Sequence, residues 1–228
     1  MSGVELEGVS VRLGDTDVLR DLTLSLRART VAVVGENGSG KSTLARLLSG
    51  LAVAREGTVR VLGLDPARQV AELRRRVAVV FSNPDAQIVM PTVAEDVAFS
   101  LRTEKLSRKE RSERVTAALG RFGLTELADR SSHELSGGQK QLLALCGAFV
   151  RDPELVVADE PTAYLDAPNA RRVADHLLED AAHRLVLVTH DLALARRCDV
   201  AVLVQDGSVT EVGAPDDVLA AYEASIRW

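Results

Sequence analysis

Short runs of β-branched and apolar residues alternate along this chain with stretches whose apolar positions recur at helical spacing. That alternation predicts an α/β layered fold. The predicted strands are Val4–Val11, Leu22–Leu26, Val31–Val34, Thr58–Val61, Val77–Phe81, Leu155–Ala158, Leu185–Thr189, Val200–Val204 and Ser208–Val212. Val31–Val34, Leu155–Ala158 and Leu185–Thr189 are apolar without alternation, as expected of central parallel strands covered on both faces. Val4-Glu5-Leu6-Glu7 alternates and Gln205-Asp206-Gly207 is a hairpin signal, so antiparallel edges are expected there.

Between Phe81 and Val150 the pattern becomes helical. Thr92 to Leu101 reads as one helix. Ser107-Arg108-Lys109-Glu110 has capping-box spacing and opens a second, running to about Phe122 and stopped by Gly123. The charges at 108–114 and Arg74-Arg75-Arg76 read as solvated faces. No internal repeat or low-complexity tract interrupts the pattern. The predicted layout is an α/β core over 1–81 and 150–228, with a helical lobe inserted at 82–149.

Composition narrows the classes. The 228 residues carry a net charge of −5, against a basic surface for nucleic acid, and 3% aromatics, against a base-stacking platform. Cys146 and Cys198 are lone thiols without CxxC spacing, which suits a reducing compartment. Met1 to Glu7 is polar, so no signal peptide is expected. No run approaches the roughly 20 apolar residues of a membrane span, so any membrane role is expected from outside the bilayer. His133, His176 and His183 lack metal-ligand spacing and are expected at the surface.

Three motifs bring chemistry. Gly35-Glu36-Asn37-Gly38-Ser39-Gly40-Lys41-Ser42 follows the strand Val31–Val34 and leads into the helical run Ser42–Leu51, beginning Ser42-Thr43. Glycines let backbone N–H groups converge on phosphate oxygens, and the helix N-terminus adds its dipole. Lys41 is suited to bridge β- and γ-phosphates, and the Ser42 hydroxyl to ligate Mg²⁺. Leu155-Val156-Val157-Ala158-Asp159-Glu160 is a hydrophobic strand ending in two carboxylates. Asp159 can orient a water ligand of Mg²⁺, and Glu160 can orient or deprotonate an attacking water.

Ser136-Gly137-Gly138-Gln139 has capping-box spacing, but a capping box does not call for two glycines, which weaken a first turn. Their presence is expected where a terminal phosphate approaches the backbone closely. His190, after the strand Leu185–Thr189 and before the N-cap residue Asp191, is placed to meet the same phosphate.

Together these residues resemble the ATP-binding subunit of an ABC transporter over nearly the whole chain. The resemblance implies a P-loop NTPase (RecA-like) core with an antiparallel β subdomain and an inserted α-helical subdomain. It also implies ATP and Mg²⁺ as ligands, and a head-to-tail sandwich dimer with a second ATPase subunit, as a homodimer or a heterodimer. Each ATP would lie between Gly35–Thr43, Asp159, Glu160 and His190 of one subunit and Ser136–Gln139 of the other. Asp166 matches the family's loop that crosses that interface.

Phe81-Ser82-Asn83-Pro84-Asp85-Ala86-Gln87-Ile88-Val89, with Thr92-Val93-Ala94-Glu95-Asp96-Val97-Ala98-Phe99, resembles the energy-coupling-factor importers of vitamins and metal ions such as cobalt or nickel. The short C-terminus ending at Trp228 resembles biotin-type systems. Such systems pair two ATPase subunits with a transmembrane coupling protein and a substrate-binding membrane protein. The expected location is therefore peripheral, on the cytoplasmic face of the membrane, with no nucleic-acid partner.

Three positions depart from the family pattern. Ser82 stands where a glutamine usually reaches Mg²⁺, with Asn83 a conceivable stand-in, while Gln87 matches a separate glutamine of the subgroup. Leu13 stands where an aromatic residue stacks on adenine, and Tyr164 where the crossing loop usually has a small residue. Leu13 and Ser82 also leave open a mainly regulatory, weakly hydrolysing subunit beside a better partner. A non-transport ATPase acting on DNA or ribosomes fits less well, because the gap between motifs lacks sustained heptads and each motif occurs once.

Overall fold

A computed structural model describes residues 3–179 and 182–226; Met1 and Trp228, named above, lie outside them. Among the described residues nine strands form two sheets. The smaller sheet holds β1 (Val4–Leu13), β2 (Thr16–Leu26) and β4 (Glu56–Val61), all antiparallel in the order β2-β1-β4. The larger holds β3 (Thr30–Val34), β5 (Val77–Val80), β6 (Leu155–Asp159), β7 (Arg184–Val188), β8 (Val200–Gln205) and β9 (Ser208–Gly213). Its order is β5-β6-β7-β3-β8-β9, parallel except for the β8–β9 hairpin.

The three runs without alternation are the neighbouring central strands β6, β7 and β3. Their side chains point alternately to two cores. Val31, Val33, Leu155, Val157, Val186 and Val188 join the smaller sheet and α1 (Lys41–Leu48) in one core. Ala32, Val34, Val156, Ala158, Leu185 and Leu187 join the helices of the opposite face in the other. Both faces of each strand are buried, so removal from water favours every position, at roughly 1.5–3 kcal/mol for each fully buried Val or Leu.

The helical stretch contains α3 (Val93–Ser100), α4 (Arg108–Phe122) and α5 (Gly137–Phe149). Thr92 and Ser107 open α3 and α4 with complete capping boxes, and Gly123 at φ 67 ends α4. Val97, Leu119, Phe122, Leu142 and Phe149 share one continuous core with Val156 and Ala158 of the sheet. Among the described residues no helix is long and apolar enough to cross a membrane.

Three expectations shift. β2 begins at Thr16 rather than Leu22: Thr16–Asp21, although mostly polar and without strand alternation, still pairs, irregularly, with the end of β1. His183 is 3% exposed, not a surface residue. Its ring stands edge-on to Phe149 at 4.8 Å, and Nε2–H donates to the Leu177 carbonyl at 3.0 Å. His176 is half-buried against Phe122, and burial lowers its pKa. His133 is exposed as expected.

Candidate functional site

The loop Gly35–Gly40 leaves β3 and turns directly into α1. Gly35 has φ 145, and a Cβ there would lie 2.0 Å from the Val204 carbonyl, so the crossing over β8 excludes any side chain. Gly40 has φ 105 at the N-cap of α1, where a Cβ would strike Leu19. The loop is tied by Ser39 N–H to the Glu36 carbonyl at 3.2 Å and Gly207 N–H to the Ser39 carbonyl at 3.0 Å. Ser39 Oγ is buried with no partner among the described residues, a polar atom that a phosphate oxygen would satisfy.

Lys41 is buried, and its ammonium donates to the carbonyls of Gly35 (2.7 Å) and Glu36 (2.6 Å). Burial lowers its pKa, opposed by Glu160, Asp159 and Glu36. The loop carbonyls thus hold a cation where anionic oxygens would hold it better. Ser42 Oγ donates to Asp159 Oδ1 at 3.1 Å, which joins the phosphate loop to the end of β6. A hydroxyl beside a carboxylate is a hard-oxygen donor set, which fits Mg²⁺. Thr43 is buried beneath them.

The parallel register of β6 and β7 sets Asp159 opposite Val188. The chain therefore leaves both strands side by side, and Glu160 N–H donates to the Val188 carbonyl at 2.9 Å. Two residues beyond Val188, His190 brings Nδ1 to 2.8 Å from Glu160 Oε2. Glu160 sits at φ 51, a conformation that costs a non-glycine residue about 1–3 kcal/mol and concentrates at functional positions. Asp191 caps α7 (Leu192–Ala195) by accepting from Ala193 N–H and Leu194 N–H.

Gly35, Glu36, Asn37, Ser82, Glu160 and His190 line one open cleft of about 970 Å³. Tyr164 and Tyr222 line it too. Tyr222 comes from α8 (Pro215–Ser225), a helix no motif marked, and its phenol pKa is raised by burial and then by Glu36. Ser82 thus reaches the cleft, but Asn83, the stand-in considered for a longer side chain there, is engaged elsewhere, as is Gln87. Asn83 Oδ1 accepts from Asp85 N–H at 3.0 Å. Gln87 accepts from Phe81 N–H (2.7 Å) and donates to the Val79 carbonyl (2.9 Å). Leu13, at the end of β1, is 43% exposed and does not line the cleft.

None of Ser136, Gly137, Gly138 and Gln139 lines that cleft either. Ser136 caps α5 through a complete capping box with Gln139. A Cβ at Gly137 would meet nothing within 4 Å. A Cβ at Gly138 would lie 2.5–2.8 Å from the Asn169 amide on α6 (Ala167–Leu178). The space beside the Gly138 backbone is therefore filled within the chain, while that beside Gly137 is open. Asp166 caps α6, accepting from Asn169 N–H at 3.0 Å.

The family model for ABC transporter matches residues 19–163. A putative ABC transporter ATP-binding protein of Deinococcus radiodurans is 44% identical over 99% of each chain. A biotin transport ATP-binding protein of Rhodobacter capsulatus is 36% identical over the whole of this chain and 97% of its own. An energy-coupling factor transporter ATP-binding protein of Lacticaseibacillus paracasei is 39% identical, over 90% of this chain and 74% of its own. Among solved structures, cbiO1 of Clostridium perfringens, part of the ABC transporter complex cbiONQ, superposes with a TM-score of 0.86 at 30% identity, over 97% of this chain and 92% of that one. A dimeric ATP-binding cassette bound to ADP and Pi in a post-hydrolysis state gives 0.81 at 26%, over 93% and 98%. A glycine loop wedged against β8, two carboxylates at the end of β6 and relatives matched over 74–99% of their own length have one reading: this chain belongs to the ABC transporter family.

Proposed function

We propose that this chain is the ATP-hydrolysing motor subunit of an energy-coupling-factor importer, drawing a vitamin or transition-metal ion across a membrane it does not itself enter. One observation carries the mechanism. Gly35, Glu160 and His190 share a cleft within one chain, while the self-capped turn Ser136–Gln139 stands outside it. A second copy, facing the opposite way, completes the site by bringing its own Ser136 turn to the phosphates.

In that arrangement the Gly35–Gly40 N–H groups and Lys41 hold the β- and γ-phosphates, with Thr43 supporting the first turn of α1. Bound between Ser42 and Asp159, Mg²⁺ would neutralise phosphate charge. Glu160 accepts the proton of the attacking water, and His190, already 2.8 Å from its carboxylate, fixes its orientation. Asp166, on the loop between Glu160 and α6, meets the facing copy. The names of the biotin and energy-coupling-factor relatives support the importer class. In this reading the partners are a transmembrane coupling protein and a substrate-binding membrane protein, met at the cytoplasmic face.

Glu160→Gln tests the assignment. It keeps the side chain's size and removes the base. Turnover is expected to fall by about 10²–10⁴-fold with ATP binding retained and ATP-bound dimers accumulating. Full turnover in that variant contradicts the role given to Glu160. Membrane proteins co-purifying with the wild-type chain test the importer reading separately.

A further inference from the structure

Tyr164 joins three properties. Its side chain is 96% exposed. Its backbone stands at φ 64, a conformation glycine adopts freely and a bulky residue adopts under strain. It also lies on the rim of the cleft that holds Glu36, Glu160 and His190.

The loop is held without that ring. Leu165 N–H donates to the Thr162 carbonyl at 3.3 Å, closing a tight turn with Tyr164 as its third residue. Leu165 packs against the core and Asp166 caps α6, so the backbone is pinned immediately after Tyr164. The ring packs in neither apolar core and makes no aromatic contact among the described residues. Folding would be served better by glycine. A strained residue that aims an aromatic ring into solvent from a pinned loop is pre-organised for something that arrives from outside.

We propose that Tyr164 is a principal anchor between two copies of this chain, its ring seated on the facing copy when the cleft closes over ATP. The inference rests on the paired arrangement described above. It goes further by placing much of the pairing strength in one side chain. The rim of the cleft is the surface a second copy must cover for its Ser136 turn to approach the phosphates. In two-fold pairing each ring is used, so one residue contributes twice. Tyrosine suits the role, with a large contact area and few rotatable bonds to immobilise.

The test separates pairing from folding and from nucleotide binding. In a Glu160→Gln background with ATP, sedimentation gives the dimer dissociation constant. Nucleotide-free melting gives stability, and ATP titration of dilute monomer gives affinity. Tyr164→Gly is expected to weaken the dimer at least about tenfold. ATP affinity of the monomer should not change, and the melting temperature should hold or rise as strain is relieved. Tyr164→Phe should keep most of the pairing. An unchanged dimer constant in Tyr164→Gly overturns the proposal and leaves the paired reading standing. Loss of ATP affinity in the monomer also overturns it, because the ring is then a nucleotide contact. If the Glu160→Gln chain with ATP never pairs, the paired arrangement falls and takes this inference with it.

Discussion

The nucleotide cleft and the Ser136 turn use similar residue types and finish in different states. At the phosphate loop and the cleft, side chains far apart in sequence already satisfy one another, Ser42 with Asp159 and Glu160 with His190, and Lys41 is held by the carbonyls of its own loop. The Ser136 turn satisfies only itself, through Gln139, and presents Gly137 to open space. The cleft is assembled by folding, whereas the turn is finished and left facing outward. A polar site built to this standard within one chain, and elsewhere on it a turn whose Gly137 faces open space, is the division expected when the second half arrives on another molecule.

The two glycines of that turn offer the sharpest way to break the comparison. Gly138→Ala pushes a Cβ into the Asn169 amide, which has to move aside, so the nucleotide-free chain is expected to be less stable than its Gly137→Ala counterpart by about 1 kcal/mol, measured by denaturant unfolding. Gly137→Ala meets no atom and should hold or raise stability, by up to about 1 kcal/mol from helix propensity, while ATPase activity is expected to fall as the added methyl would stand in the phosphate's path. If the two variants unfold alike, the difference between inward and outward glycine is wrong.

An effect of similar size is expected at Leu13, 43% exposed and away from the cleft lining. Aromatic stacking on a base is worth roughly 1–3 kcal/mol. Leu13→Tyr should therefore tighten ATP binding by about tenfold in a calorimetric titration, close to 1.4 kcal/mol. An unchanged dissociation constant would mean that the base is not held from the end of β1.

Much of this could be read from the chain before its fold. The strands β3, β6 and β7 were legible because both faces are buried, which erases the polar alternation of an edge strand. The glycine loop was legible because its context, strand before and helix after, is local. What escaped depends on contacts between distant segments. Gly138 gave no sign that Asn169, on the next helix, fills the space beside it. His183 looked exposed because its polar ring gives no sign of Phe149 beside it. Tyr222 entered the cleft from α8, whose polar and small residues carry no motif. The Glu160–His190 contact depends on the β6–β7 register, which neither segment encodes alone.

The central claim is that one nucleotide is gripped by the phosphate loop of one copy and the Ser136 turn of another. It is tested most directly by mixing two defective chains, each also carrying Glu160→Gln to stop turnover. Lys41→Ala removes the phosphate grip, and Gly137→Asp sets a carboxylate against the phosphate. Alone, each is expected to stay monomeric with ATP. Mixed, they should form dimers holding one ATP per pair, because one of the two shared sites then has both halves intact. If the mixture stays monomeric where the parent Glu160→Gln chain pairs, or if either variant alone pairs as well as the mixture, the shared site is contradicted.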